Sequence, residues 1–204
     1  MMEYNSSCLI LMTAIISFIG FTIENTWMLL KHGYIDNRNM TFPFLLGYGM
    51  LVVGMFILFG VPGDIRLLGM RFLEGETQMQ YVVYFLISFT VVSLGETALG
   101  FFVEKVFGFE YWNYTDIPLH ITKYTSVPTS TGFALLITSF MGSCFEPLLR
   151  FTQRVPPPLL NILAVTLGTA MVADFIASFT KMYRTRSLNQ KWRKEFPLKK
   201  KYRK

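Results

Sequence analysis

Three glutamates lie in or near long apolar stretches of this chain: Glu24, Glu96 and Glu104. An ionisable group inside lipid costs at least about 2 kcal/mol, so it usually faces protein or water and takes part in function. Such carboxylates can take up a proton or bind a polar group of a ligand. They can also form structural ion pairs that fix helix packing, and the sequence leaves both interpretations open.

Arg38 is the cation that we expect to pair with Glu24 or Glu104. It follows the turn residues Asp36-Asn37, so the chain can fold it back toward the helices. A planar guanidinium can serve two carboxylates at once, which an ammonium does less well. We therefore predict one cavity at which five side chains converge: Glu24, Arg38, Glu96, Glu104 and Trp112.

Trp112 and Tyr114 belong to an aromatic cluster where the Glu104 helix would leave a bilayer. Aromatic residues at this depth commonly anchor a helix at the membrane interface. Recognition of a lipid or another substrate is the alternative. Six side chains thus form the predicted polar pocket: Glu24, Arg38, Glu96, Glu104, Trp112 and Tyr114.

The sequence offers no motif for a cofactor, and we predict neither a cofactor nor a metal. Two His–Asp pairs, His32/Asp36 and Asp116/His120, could bind a divalent ion only if the fold brought them together. No phosphate-binding loop and no recognised catalytic motif occurs, so the chain is not expected to hydrolyse ATP, and an enzymatic role is the less favoured interpretation.

Composition and hydropathy predict the elements that must position these residues. The chain is 52% hydrophobic and 16% charged, against about 25% charged residues in soluble domains. Apolar runs of spanning length recur, which is typical of an all-α, polytopic helical membrane bundle with a basic tail. We predict about five transmembrane helices, at 9–30, 44–61, 80–103, 133–149 and 159–180.

Shorter features complete this prediction. Residues 64–76 have the spacing of an amphipathic interfacial helix, with a solvated loop as the alternative. Two rows of small residues on the fifth span, Ala164/Gly168 and Ala173/Ala177, should pack against another helix. No internal repeat is evident.

The basic residues cluster at the C-terminus. Residues 181–204 hold eleven of the nineteen Lys and Arg but one of the thirteen acids. We predict a transmembrane domain at 1–181 and a disordered cytoplasmic tail at 182–204, as the positive-inside rule favours. With five spans, the N-terminus of this multi-pass cell-membrane protein would lie outside. Membrane lipid is an expected partner, and nucleic acid is not.

Several motifs of residues 15–150 resemble a known family. They are Glu24, Asn37-Arg38, Pro43 with Gly47-Tyr48-Gly49, Glu96, Glu104 with Phe107-Gly108, and Trp112-Asn113-Tyr114-Thr115. In this order they resemble the ABC-transporter type IV permease family of small five-helix membrane proteins, and more distantly a family of animal transmembrane proteins. Asn113 stands where that pattern has an aspartate.

The resemblance implies a permease-like subunit that takes part in transport. A separate ATPase or another membrane subunit would then be its partner, and a homo-oligomer is compatible with the sequence. Two alternatives stay open. One is a lipid-active intramembrane enzyme, and the other is a scaffold that binds other membrane proteins through its small-residue faces.

Overall fold

We analysed a computed structural model of the protein, which describes residues 5–67, 69–71 and 76–196. The described residues form two compact units. The first unit comprises Met1–Met50 with Pro156–Lys204, and the second is Leu51–Val155, as far as each is described. Six helices dominate: α1 Ser6–His32, α2 Leu46–Phe59, α3 Thr77–Phe107, α4 Val127–Ser143, α5 Phe145–Gln153 and α6 Pro157–Thr185.

Three of these helices, α1, α3 and α6, are long and apolar enough to cross a membrane. Helices α4 and α5 reach this length together but bend by 49° at their junction. Pro147 explains the break, because it lacks an N–H and its ring crowds the preceding turn. Helix α2 has 14 residues, about 21 Å, which is shorter than a hydrocarbon core of about 30 Å. The helical membrane class is confirmed, whereas the count of five spans is not.

Helices α1 and α6 run parallel in the first unit. Near their starts the Ser7 hydroxyl donates to Asn161 Oδ1 at 2.7 Å, and strands that follow both helices pair with each other. Ala164 is buried, and a Cβ on Gly168 would lie 3.0 Å from Ile10 Cγ2. The predicted packing of this row is therefore confirmed.

The other small-residue row behaves differently. Ala173 and Ala177 are exposed on α6, and their predicted packing against another helix stays a prediction. The two rows have similar composition. The rotation of α6 about its own axis relative to α1 decides which row is buried. The close approach of α2 to α1 instead uses Gly49, where a Cβ would overlap Thr13 and Ser17.

In the second unit α3 packs along α4. The Thr138 hydroxyl donates to Ser88 Oγ at 3.5 Å, and a Cβ on Gly142 would overlap the Tyr81 ring. Tyr84 is fully buried and donates its hydroxyl to the Gly60 carbonyl at 3.1 Å. These contacts fix the helix that carries Glu96 and Glu104.

The segment after α2 corrects one prediction. Instead of an amphipathic helix, the described residues form an antiparallel ribbon of β2 Gly60–Val61, β3 Asp64–Leu67 and β4 Met70–Arg71. Gly63 at φ +95° and Gly69 at φ +88° supply the left-handed turns that hairpins require. Asp64 pairs with Arg66 and Arg71, which holds the pKa of its carboxyl below the ordinary range. Leu68 and residues 72–75 lie outside the described residues.

Two further ribbons lie at connectors. Strand β5 His120–Thr122 pairs with β6 Thr125–Ser126 in the second unit. In the first unit β1 Tyr34–Asp36 pairs with β7 Arg193–Glu195. Helix α6 thus ends at Thr185 and β7 lies within the predicted tail, while the division of the chain at 181/182 and the disorder of the tail stay predictions. Residues 197–204 of the predicted tail lie outside the described residues.

Candidate functional site

Glu24 lies in a compact cluster in the first unit. Arg38 Nη2 is 3.2 Å from Glu24 Oε2, and each side chain is 22% exposed. The Tyr48 hydroxyl donates to Glu24 Oε1. Gly20 lies one turn before Glu24, and a Cβ there would overlap the Tyr48 ring. The absence of a Cβ at Gly20 thus lets the ring pack against α1 and reach the carboxylate.

The connector after α1 is folded so that Arg38 points back to the helix. Asn25 Oδ1 accepts from the Asp36 N–H at 2.8 Å, and Asp36 Oδ1 accepts from the Arg38 N–H at 2.8 Å. Arg38 and Asn39 adopt φ +45° and +65°, the left-handed region that is uncommon outside glycine. The turn expected at Asp36-Asn37 is present and joins Arg38 to Glu24.

Asp174, inside α6, holds the far end of this connector. Its carboxylate accepts the backbone N–H groups of Thr41 and Phe42, both at 2.8 Å from Oδ2, and the Ser178 hydroxyl at 3.3 Å. These donors satisfy a carboxylate that is 7% exposed on an apolar helix. The structure therefore gives Asp174 a positioning role in the first unit.

Glu104 lies in a similar cluster in the second unit. Lys123 contacts Glu104 Oε1, and the Tyr124 hydroxyl donates to Glu104 Oε2 at 2.8 Å. Lys123 Nζ also lies 3.0 Å from Glu110 Oε1. A Cβ on Gly100, one turn before Glu104, would overlap the Tyr124 ring.

Trp112 and Tyr114 hold the segment that carries Lys123 and Tyr124. The Trp112 indole N–H donates to the Tyr124 carbonyl at 2.8 Å, and the two rings are 5.8 Å apart. The Tyr114 backbone N–H donates to the Lys123 carbonyl at 2.8 Å. In this arrangement both aromatic residues position the cluster around Glu104.

Charge pairing shifts the titration of the connector groups. Hydrogen bonds to Glu104 and then Glu110 raise the pKa of Lys123 above its ordinary value. The Asn113 amide and then Lys123 lower the pKa of Glu110. Burial, followed by the hydrogen bond to Glu104, raises the pKa of Tyr124. At neutral pH the ammonium and the Glu110 carboxylate are therefore charged.

Glu96 contacts a short chain of hydroxyl groups. Glu96 Oε2 accepts from Thr125 Oγ1 at 2.9 Å, and Thr125 Oγ1 lies 2.8 Å from Ser130 Oγ. Thr125 and Ser130 are 1% and 0% exposed. Ser126 caps α4 beside them and fixes the start of that helix. These hydroxyl groups give the Glu96 carboxylate a hydrogen-bond donor within the second unit.

The two clusters share a sequence pattern. Gly20-Phe21-Thr22-Ile23-Glu24 on α1 corresponds to Gly100-Phe101-Phe102-Val103-Glu104 on α3. In both, a later tyrosine packs on the glycine and bonds the glutamate, and a cation from the following connector pairs with that glutamate. No repeat was predicted, although the shared Gly-Phe-x-(Ile/Val)-Glu pattern was the signal for it.

The structure joins the six predicted site residues within their own units. Glu24 contacts Arg38 in the first unit. In the second unit Glu104, Trp112 and Tyr114 contact Lys123 or Tyr124, and Glu96 contacts the next residue, Thr125. The single cavity would combine residues of both units, and it stays a prediction. Sequence reasoning missed four cluster members: Gly20, Tyr48, Gly100 and Tyr124.

Other features of the described residues lie apart from these clusters. An apolar groove in the first unit is lined by α1, α2 and α6 and includes none of the six predicted residues. Within the described ranges, no three His, Cys, Asp or Glu side chains are placed to hold a metal ion. Among the described residues, the candidate functional groups are thus the carboxylates Glu24, Glu96 and Glu104 with their partners.

Long apolar helices with partnered internal carboxylates define a helical membrane protein. The family model described as "Putative ABC-transporter type IV" matches residues 11–179, which confirms the resemblance noted in the sequence. The chain belongs to this family, and its association with transport is thereby supported. No curated protein and no solved structure matches the chain.

Proposed function

We propose that this protein is a permease-like subunit of a membrane transporter, with an intramembrane polar site around Glu96. The observation that supports it most directly is the duplicated cluster of carboxylate, cation and tyrosine on α1 and α3. Many transporters are built from internal repeats that place a binding site in the membrane. Family membership agrees with this function.

Glu96 is the group that we assign to the transported molecule, either as proton acceptor or as ligand of its polar group. In the pattern shared by the two helices, the position of Glu96 corresponds to Ile16, which is buried. The repeat therefore has an extra carboxylate in its second copy alone. Because Glu24 and Glu104 pair with cations that belong to this chain, they suit positioning.

A separate subunit would supply the energy, because the sequence has no phosphate-binding loop. A cytoplasmic ATPase is the partner that the family suggests. Because α1 and α6 run parallel, the N-terminus and the end of α6 would lie on opposite faces of the membrane. With the basic residues after α6 inside, the proposed topology has five spans and an external N-terminus.

Purification of the full chain from its own membrane in mild detergent tests the assignment to transport. We expect an ATPase to co-purify, and its hydrolysis rate should depend on this subunit. Another integral membrane protein in fixed ratio, without an ATPase, would instead favour a scaffold. Bound lipid with a chemically altered headgroup would favour a lipid-active enzyme.

Glu96→Gln tests the site because it keeps the side-chain shape and removes the charge. We expect the variant to fold and to bind its partner, but to lose at least about tenfold in coupled activity if Glu96 exchanges a proton. Glu76→Gln is the matched control, because Glu76 is an exposed carboxylate before the first residue of α3 and makes no side-chain cap hydrogen bond. Full activity of Glu96→Gln would exclude a role for this carboxylate.

A further inference from the structure

The residues after α6 form a surface whose backbone is held in place. The Phe196 N–H donates to the Gly33 carbonyl at 2.7 Å, next to the β1–β7 pairing. Asn37 Nδ2 donates to the Asn189 carbonyl at 2.8 Å, and Asn189 Nδ2 donates to the Asn39 carbonyl at 2.9 Å. Asn37 and Asn189 are both buried, so they fasten the ribbon from two sides.

This surface is basic and exposed. One acid, Glu195, lies among the described residues of this segment, and it pairs with Arg193 at 3.0 Å. We define the basic ribbon surface as the exposed cations near the ends of α1 and α6: Lys31, Arg184, Arg186, Lys191, Arg193 and Lys194. Cations thus greatly outnumber acids on this surface, which favours an anionic partner.

Four of these cations lie over aromatic rings. Lys31 is 5.4 Å from the Trp27 ring and Arg186 is 4.6 Å from Tyr183. Arg193 is 3.7 Å from the Tyr34 ring, and Lys194 is 5.5 Å from Phe196. Cations beside aromatic rings at the end of an apolar helix are typical of the headgroup region of a bilayer.

Apolar side chains also reach solvent on this surface. Leu188 and Trp192 are 48% and 45% exposed, and Trp27 is 56% exposed at the end of α1. A soluble polyanion such as nucleic acid would leave Leu188 in water, whereas a bilayer interface would cover it. The combination therefore favours lipid over nucleic acid.

We infer that the basic ribbon surface binds the anionic phospholipid headgroups of the leaflet that surrounds the ends of α1 and α6. The cations attract the headgroup phosphates, and the aromatic rings and Leu188 insert at the level of the glycerol backbone. The pairing of β1 with β7 presents these groups as a fixed ribbon. Anionic lipid would then also hold the connector that carries Arg38.

The test counts lipids on the purified full chain by native mass spectrometry, with phosphatidylglycerol as probe and phosphatidylcholine as reference. We expect the wild-type protein to retain phosphatidylglycerol preferentially. The triple variant Lys191→Gln/Arg193→Gln/Lys194→Gln should weaken that retention by about tenfold or more and leave phosphatidylcholine unchanged. The matched control Lys105→Gln/Arg150→Gln/Arg154→Gln removes three exposed cations from the second unit and should change neither.

Equal losses in the two triple variants would overturn the inference, because net charge alone would then explain binding. Tighter binding of a single-stranded oligonucleotide than of phosphatidylglycerol would also overturn it. A second measurement needs no variant: raising the salt concentration from about 0.05 M to about 0.5 M should release phosphatidylglycerol from the wild-type protein. A preference that does not respond to salt would contradict an electrostatic headgroup surface.

Discussion

The clusters at Glu24 and Glu104 each provide partners for a carboxylate on an apolar helix, but they take these partners from different connectors. In each, a glutamate near the end of an apolar helix meets a cation and a tyrosine hydroxyl, with a glycine beneath the ring. The partners arrive from connectors of different length and structure. The comparison shows that the glycine and glutamate on the helix are common to both clusters. The cation differs, since one connector supplies Arg38 and the other supplies Lys123.

The connectors are held by different means. The connector with Arg38 is fastened by residues distant in sequence, since Asp174 and Asn189 bond its backbone. The connector with Lys123 is fastened locally, through Trp112 and the ribbon β5–β6. The first cluster should therefore depend on the end of α6 and the ribbon that follows it, and the second should not.

The largest expected effect concerns the glycines beneath the rings. Gly20→Ala and Gly100→Ala should each destabilise the protein by about 1–3 kcal/mol, because the added methyl group overlaps a tyrosine ring. Thermal unfolding in detergent would measure it. Gly47→Ala and Gly95→Ala, where nothing lies within 4 Å of the added Cβ, are the controls. A large loss of stability from one of these two substitutions and none from the other would show that the two clusters are not equivalent.

Removal of the paired cation should lower the stability of the protein by different amounts in the two clusters. Arg38→Gln should lower stability by about 1–2 kcal/mol, because the half-buried Glu24 loses a charged hydrogen-bond partner. Lys123→Gln should have a smaller effect, because Glu104 is more exposed at 37% and water can replace the ammonium. The two unfolding midpoints, measured side by side, would check this. A greater loss from Lys123→Gln would reverse the proposed difference.

Asn189→Ala tests whether the first connector depends on the residues that follow α6. The change removes donors to the Asn39 carbonyl and Ser178 Oγ, and we expect a loss of about 1 kcal/mol. Hydrogen exchange should rise at residues 34–41 and stay constant at residues 120–126. Gln190→Ala, at an exposed neighbouring position, is the control. Increased exchange in both connectors would show that they are not held independently.

The smallest effect is a pH dependence of the second cluster. Since the pKa of Glu110 is lowered, its contribution is present above the ordinary value of 4.5 and is lost as pH falls through the lowered pKa. Since the pKa of Lys123 is raised, its contribution is present below 10.5 and is lost as pH rises through the raised value.

Trp112 fluorescence can report this pH dependence. In a Trp27→Phe/Trp192→Phe background, we expect an emission change below pH 4.5 that Glu110→Gln abolishes. An unchanged acid transition in the Glu110→Gln protein would assign it to another group.

Much of the framework was predictable from the sequence. Apolar run length placed every long helix, and the structure extends the run at 9–30 to Ser6–His32 and the run at 80–103 to Thr77–Phe107. The pairing of Arg38 with Glu24 was one of two predicted options and is confirmed.

Two features that the sequence did not decide have identifiable causes. The spacing in 64–76 fitted a helix, but Gly63 and Gly69 allow turns that ribbon pairing then stabilises. The burial of one small-residue row and the exposure of the other depend on how α6 is rotated against α1. Neither outcome is encoded in local composition.

The sequence by itself determined that this chain is a helical membrane protein of its family, with carboxylates inside apolar helices. Hydrophobic run length and the cost of burying charge are local properties, so they can be read along the chain. Tertiary structure alone decided which partner each carboxylate has. Tyr48 is 24 residues from Glu24 and Tyr124 is 20 residues from Glu104, and only connector folding and the close approach allowed by Gly20 and Gly100 bring them into contact.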